Sequence, residues 1–480
     1  MSGKRLTRRS LLRNALFGSA GLALAACAPK VIKETVVVEK PVEKIVKETV
    51  VVKEAVEVEK EVTRVVEKQV KAPEEPITLI IQHPHPSYEK FGETTADPQF
   101  EERHPNVKIK REFTAGYVKE FYPKLMTMHV GGVSWDVAEL PSWAGTEYVL
   151  YLKGVLKELT PFVERDKFDL DVFFPIAIKG SKFRGMALFM LPILVDPGQC
   201  VLLYNKDALD EAGVPEPTLD WRYDREFLDV LAKLHEKFGD DKWTWSPQVT
   251  GTFGYQAALD AWNTSLLDET ARKLLLDEPK GKACMKYYYD LFESGNVPRA
   301  GEMPGGAGQM WTGGQLIFET TFPPVVPWRF KAVDESGNKF NYNATLMPKG
   351  PEPDGKHGGS ANPHYMGMGS NSKHPDMAWE YLKWFTGEEL ADPLWDAGLV
   401  PARVATWEKR VQDAHPIWKM SMELLYSVDL TFVPWNFRGG EVEDALVNGM
   451  GRVWLGEVGF EQGLAETAEK IRQILDKPMA

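Results

Sequence analysis

Cysteine is scarce in this chain: Cys27, Cys200 and Cys284 are its complement in 480 residues. So few thiols exclude a disulfide scaffold, and a chain of this length does not need one. The local patterns around Cys200 and Cys284 read as a buried strand residue and a helix residue, so both are expected as buried free thiols rather than a bridge. Short catalytic signatures are absent too. The sequence contains no HExxH, no CxxC pair, no GxxxxGKS/T and no GxSxG, which removes the motif-level case for the common hydrolases and nucleotide-binding enzymes. The glycine-rich run Gly301–Gly308 has no Lys-Ser/Thr after it. Positive charge is in deficit. The net charge is −12, and residues 1–26 carry Lys4, Arg5, Arg8, Arg9 and Arg13 with no acid, so a chain starting at Cys27 stands at −17. A nucleic-acid partner needs clustered Lys and Arg and is excluded.

A long apolar run is missing at the N-terminus as well. Ala15–Ala26 is apolar but shorter than the roughly 20 residues that span a bilayer. It follows a basic stretch and ends in Leu24-Ala25-Ala26-Cys27, which resembles a bacterial lipobox. Thr7-Arg8-Arg9-Ser10-Leu11-Leu12-Arg13 resembles the twin-arginine export motif. Residues 1–26 are therefore expected to be a signal peptide, with Arg8 and Arg9 in its export signal and Cys27 carrying the lipid. A general secretory route remains the alternative.

Residues 31–72 are almost wholly Val, Glu and Lys. Lys33–Val38 recurs as Lys47–Val52, an offset of 14 that equals two heptads. Pro41 interrupts that register and Val is a modest helix former. Residues 27–76 read as a lipidated start and an extended tether.

From Ile77 the texture changes, and 15 Trp, 15 Tyr and 23 Phe supply aromatic surface for both a core and a cleft. Ile77–Ile81, Val107–Phe113 and Trp135–Leu140 read as strands, Tyr117–His129 as a helix, and Phe91–Arg103 as a loop entering a helix. Strands alternating with helices imply a mostly parallel sheet, whose ligands sit beyond the carboxyl ends of the strands.

Several segments are similar to family 1 extracellular solute-binding proteins, the maltose-binding-protein-like group. Phe100–Ile109 resembles the family's "FEEKYPGIKV", and Leu156–Phe162 its "LKPLDPF". Leu202-Leu203-Tyr204-Asn205-Lys206-Asp207-Ala208-Leu209-Asp210-Glu211-Ala212-Gly213 resembles "LYYNKDLFKEAGL", and Lys373–Phe385 resembles "SKNPEAAWEFLKFL". The matches keep the family's order across most of residues 77–405. Trp311–Phe318 follows the "FxxGKAAM" segment only loosely. The resemblance implies an α/β, two-lobed periplasmic-binding-protein fold of type II character. The first lobe is expected at 77–197 and 360–400, the second at 201–357 and 404–480. Crossovers are expected near 195–201, 358–360 and 399–403. It also implies an importer's capture component: no enzyme, no cofactor, a monomeric body, and the transmembrane permease subunits as partners.

A sugar presents C–H faces and hydroxyl rims, so its receptor needs aromatic planes and hydrogen-bonding side chains. His83, His85 and Tyr88 fall in a proline-stiffened loop at a strand's carboxyl end, and Trp143 follows the third strand. Asp196 and Gln199 flank the first crossover. Tyr255 and Trp262 lie in an aromatic stretch where at least one is expected to pack in the core. Phe322 and Trp328 flank a proline-rich loop, and His364 follows the second crossover. Trp435, Asn436 and Arg438 follow Pro434 late in the chain. These are the candidate ligand contacts. The rival reading, a metal held by His83 and His85, needs further ligands such as His364 or Glu139. Peptide, polyamine and phosphate-ester receptors share the same fold. A net charge of −17 disfavours anionic ligands.

Overall fold

The computed structural model describes residues 75–477 apart from 142–145, 184, 186, 250, 300–301, 304 and 431–437. The signal motif, Cys27 and the 14-residue repeat lie outside the described residues, as do Trp143, Trp435 and Asn436. Residues 74–480 form one compact unit.

Apart from a short hairpin of Lys182–Phe183 with Ala187–Leu188, its strands among the described residues are, in chain order, β1 (Ile77–His83), β2 (Val107–Phe113), β3 (Val137–Pro141), β4 (Leu191–Leu194), β5 (Pro197–Gly198), β6 (Val201–Asn205), β7 (Trp243–Ser246), β8 (Leu316–Thr321), β9 (Tyr342–Leu346), β10 (Ser360–Ala361), β11 (His364–Met368) and β12 (Asp429–Leu430). They form a first sheet in the order β2-β1-β3-β11-β4 and a second in the order β9-β6-β8-β7. A third sheet, β12-β10-β5, takes β5 and β10 from the two passages between them and β12 from late in the chain. The path β4, β5, β6 runs from the first sheet through the third to the second, and β9, β10, β11 makes the return journey.

β1 pairs in parallel with both β2 and β3, while β11 is antiparallel to β3 and β4. The carboxyl ends of β1, β2 and β3 therefore meet the amino end of β11 at one edge. In the second sheet, β7 and β8 are parallel, and β8 is antiparallel to β6. Their carboxyl ends, Ser246 and Thr321, lie beside the start of β6, the end nearest the third sheet. A third connection reinforces the junction: the Val195 N–H donates to the Val400 carbonyl at 3.1 Å, and the Ala402 N–H to that of Ile193 at 2.8 Å.

Each sheet buries its own core. Leu79, Ile81, Val107, Phe100 and Trp379 pack on the first. Leu202, Trp245, Phe318 and the helices Gly439–Trp454 and Phe460–Leu475 pack on the second. A further cluster at the junction joins Phe173 and Phe174 to Val201, Trp407, Trp418 and Leu430. Cys200 and Cys284 are buried, free, and in different clusters.

Two loops expected from proline content are helices. Residues 86–103 run as helix Pro86–Phe91, a π-helical turn Gly92–Ala96 and helix Asp97–Arg103. Pro86 occupies the first turn, where its missing N–H costs nothing, and His85 Nδ1 caps the helix by accepting from the Ser87 N–H at 3.1 Å. Similarly, Pro323–Val325 is a 3₁₀ turn leading into helix Val326–Glu335, which puts Trp328 on a helix rather than a loop.

Candidate functional site

The two strand ends that face the third sheet differ in how well their polar groups are satisfied. At the first sheet, β1 delivers His83 to its carboxyl end, wholly buried. Neither ring nitrogen meets a hydrogen-bonding partner at bonding geometry, although the His85 backbone partly favours its protonation. Burial, aided by the Arg111 charge, pulls the His83 pKa down to about 4. Its ring lies 5.5 Å from that of Phe113 at the end of β2, and Phe113 is 43% exposed. The helix beginning at Pro86 turns Tyr88 inward, and its hydroxyl shares a 2.8 Å hydrogen bond with His364 Nδ1 at the start of β11. The His85 and Tyr88 rings are 5.3 Å apart, edge to face. Burial, with the His85 charge second, lowers His364 to about 3. The fold thus brings together His85, Tyr88 and His364, residues nearly 280 positions apart in the chain, with His83 and Phe113 at the same sheet edge.

Asp196 and Gln199 bracket β5. Burial raises the Asp196 carboxyl to about 7, and its backbone carbonyl accepts from the Asn362 N–H at 3.0 Å. The Asn362 Oδ1 is itself buried and without a partner. Gln199 adopts a left-handed backbone (φ 54°), a costly conformation for a side chain of this kind. Its Oε1 is buried and unpartnered beside a small cavity edged by Tyr223, Trp245, Tyr288 and Thr320. Desolvated polar atoms without partners are expensive in a folded chain. A ligand carrying hydroxyl groups would satisfy them.

The second sheet's candidates behave differently. Tyr255 is buried, with its hydroxyl accepting from Trp454 Nε1 at 2.7 Å. Burial raises its pKa. Trp262 packs 5.1 Å from Tyr223 and 5.3 Å from Tyr287. Both belong to the core of that sheet, so the aromatic stretch is structural at both positions. Phe322, immediately after β8, is 36% exposed. Trp328 is 68% exposed and edges a separate cavity of about 290 Å³ with Pro324, Pro327, Trp395, Gly398 and Trp418. That cavity contains none of the other candidates. Arg438 precedes helix Gly439–Trp454 and donates to Glu441 at 2.5 Å.

Sequence reasoning missed Phe113 and Asn362. Phe113 read as the last residue of an alternating strand, and Asn362 stood unremarked between a glycine-rich crossover and His364. The metal alternative gains no support in the geometry. Glu139 accepts instead from Arg111 at 2.9 Å in a buried network with Asp97 and Tyr381. Among the described residues no group of three or more His, Cys, Asp or Glu is placed to hold a metal ion. Among them also, no helix is long and apolar enough to cross a membrane.

Comparison with solved structures places this architecture among two-lobed binding proteins. The sugar-binding protein MalE from Xanthomonas citri matches with a TM-score of 0.71 at 20% identity, covering 83% of this chain and 97% of that one. The GacH receptor of Streptomyces glaucescens, solved unliganded and with acarbose, matches at 0.68 and 18% identity, covering 84% and 99%. An ABC substrate-binding protein from Listeria monocytogenes, solved with cycloalternan, matches at 0.66 and 19%, covering 83% and 99%. The family model for the bacterial extracellular solute-binding protein matches residues 86–392. With that match spanning well over half of its length, the chain belongs to the bacterial extracellular solute-binding protein family.

Proposed function

We propose that this protein captures a carbohydrate between its two lobes and delivers it to the transmembrane subunits of an ABC importer. In this reading the lobes are residues 77–197 with 360–400 and residues 201–357 with 404–480, closing on the ligand about the third sheet. Export is directed by the segment holding Arg8 and Arg9, and a lipid on Cys27 anchors the mature protein. Residues 27–76 hold the body off the membrane.

One observation carries the reading. Gln199 and Asn362, whose side-chain oxygens are buried and unpartnered, and Asp196, whose carboxyl burial raises to about 7, border the strands of the third sheet, where a closing ligand would touch both lobes. A sugar supplies the needed chemistry: hydroxyls that donate to Asp196 and Gln199 Oε1, and C–H faces for Phe113 and Phe322. Ligand contacts to both lobes stabilise the closed form and shift the population toward it. The known ligands of the solved relatives, acarbose and cycloalternan, are oligosaccharides or their mimics and support the same class.

Thermal-shift screening against neutral mono- and oligosaccharides, with peptides, polyamines and divalent metals alongside, tests the ligand class. At least one sugar should raise the melting temperature. A shift from a peptide or metal alone would replace the sugar reading. For the anchor, Cys27→Ser should release the protein from membranes, and persistent lipid labelling of that variant would refute it.

A further inference from the structure

We propose that the tethered body has a second, docked position, in which the pole of the first sheet opposite the cleft rests on the anionic surface of the bilayer. The inference rests on the anchoring reading above and adds which face of the body meets lipid.

β1, β2 and β3 are parallel, so their amino ends share the pole that lies away from His83. The chain enters the body there. Asn106 Nδ2 donates to the Glu75 carbonyl at 3.3 Å, and the Ile77 N–H donates to the Asn106 carbonyl at 2.7 Å. Residues 27–74 therefore join the body at this pole and not beside the cleft. The Asp136 N–H donates to the Ile80 carbonyl at 2.9 Å, which sets the residues before β3 level with the start of β1.

Three chain segments make the face, gathered around Ser370 and Asn371. The Ser370 hydroxyl donates to the Gly154 carbonyl and lies 3.4 Å from His129 Nδ1. Asn371 Nδ2 donates to the Val133 carbonyl at 2.9 Å, and the Asn371 carbonyl accepts from the Ser134 hydroxyl at 2.9 Å. Stitched in this way, residues 127–134, 150–154 and 369–374 present Val130, Val133 and Leu152 outward, 85%, 50% and 44% exposed. These are three of the ten large apolar side chains exposed among the described residues, and Val130 is the most exposed of them. Apolar groups gathered at one exposed face mark a contact surface.

Charge selects the occupant. The three segments hold Lys153 and Lys373 and no carboxylate, in a chain whose net charge from Cys27 onward is −17. Both lysines are exposed and, among the described residues, in no ion pair. The acids that flank these segments in sequence are taken up elsewhere, Asp376 by Arg165 and Glu158 by Tyr151. Carboxylates deeper in the body are screened beyond about 8 Å at physiological salt. Apolar side chains beside lysines suit the boundary between anionic headgroups and acyl chains. A second copy of this face would set lysine against lysine. A protein partner would leave unexplained why the face lies at the tether's own pole, where an anchor on Cys27 keeps the local lipid concentration high. Docked, the body holds His83 and the cleft about 20 Å from the lipid, the length of β1.

Depth quenching tests the contact without a lipid on Cys27. Residues 1–27 are replaced by a hexahistidine held on a nickel-chelating lipid, in vesicles of phosphatidylcholine and phosphatidylglycerol. One fluorophore is attached at Val130→Cys or, for comparison, at Leu219→Cys in the second lobe; Cys200 and Cys284 are buried and stay unlabelled. A nitroxide on the acyl chains should quench the label at position 130 at least about threefold more than the label at 219. Adding Val133→Asp and Lys153→Glu, both at exposed positions, should bring the first label down to the level of the second with the melting curve unchanged. Equal quenching of the two labels would overturn the contact. So would strong quenching that survives Val133→Asp and Lys153→Glu, because the label alone would then cause it. Equal quenching in vesicles of phosphatidylcholine alone would overturn the part given to the lysines. Release of Cys27→Ser from membranes reads the anchor separately, so either reading can fail while the other stands.

Discussion

The two sheets present opposite kinds of surface to the junction between them. The first ends in His83, whose ring nitrogens find no partner, and its crossovers carry Asn362, whose side-chain oxygen is also unpartnered, and Asp196, whose carboxyl burial raises to about 7. The second packs its aromatic wealth inward, with Tyr255 bonded to Trp454 and Trp262 wedged among Tyr223 and Tyr287. Aromatic abundance therefore does not locate a binding site in this protein. The proposed site rests instead on incomplete hydrogen bonding beside the third sheet, because a desolvated nitrogen or oxygen loses by lacking a ligand whereas a packed aromatic ring does not.

The contrast can be broken most severely at Trp262. Trp262→Ala should cost about 3–5 kcal/mol of stability, the usual range for removing a packed aromatic, read by denaturant unfolding. A variant that unfolds like the parent but no longer binds its ligand would move Trp262 from core to site. Acid comes next. His83 and His364 have folded pKa values of about 4 and 3, below the ordinary 6.5. The unfolded chain takes up their protons first, so the stability they contribute is complete above pH 6.5 and is lost as pH falls toward 4 and 3. Asp196, Glu139 and Asp260, raised to about 7, act oppositely: their contribution is complete below about pH 4 and is lost as pH rises to 7. The difference between variants isolates the histidines. A His83→Gln, His364→Gln double variant should lose less unfolding free energy between pH 6.5 and 4.5 than the parent, by about 4 kcal/mol, read by denaturant unfolding at the two pH values. Equal slopes would mean the rings are hydrated and charged. The smallest effect belongs to Tyr88→Phe, which removes the bond to His364 and should cost about 0.5–1.5 kcal/mol, measured by chemical denaturation.

The sequence conveyed the frame through its periodicity. Alternation over Val107–Phe113 matches β2 residue for residue, and the apolar run from Ile77 became β1, extended to His83. The third strand begins at Val137 rather than Trp135, because the Asp136 side chain turns back to accept the Ile80 N–H at 2.8 Å. Proline misled twice, at 86–88 and 323–328, where it starts helices, since the same ring that stiffens a loop also suits a first turn. Other features had no local signal. β12 is two residues long and exists through its pairing with β10. Nothing about a glutamine announces the left-handed backbone of Gln199. Within an aromatic stretch, local pattern cannot tell core from cleft; Tyr255 and Trp262 were separated from the site by their packing. The gathering of His85, Tyr88 and His364 required the antiparallel insertion of β11 beside β3.

The central claim, that a sugar is held at the under-satisfied polar groups beside the third sheet, is tested most directly by isothermal titration of a neutral-sugar panel into the parent protein and into Asp196→Asn. Replacing a carboxylate acceptor by an amide should weaken binding by roughly 10- to 100-fold, the equivalent of about 1.5–3 kcal/mol for a hydrogen bond to a charged group. The account predicts one-to-one binding of at least one sugar by the parent, weakened to that extent in Asp196→Asn while its melting temperature stays at or above the parent's. Binding that is unchanged by Asp196→Asn, or a panel in which no sugar binds while a peptide or metal does, would contradict it.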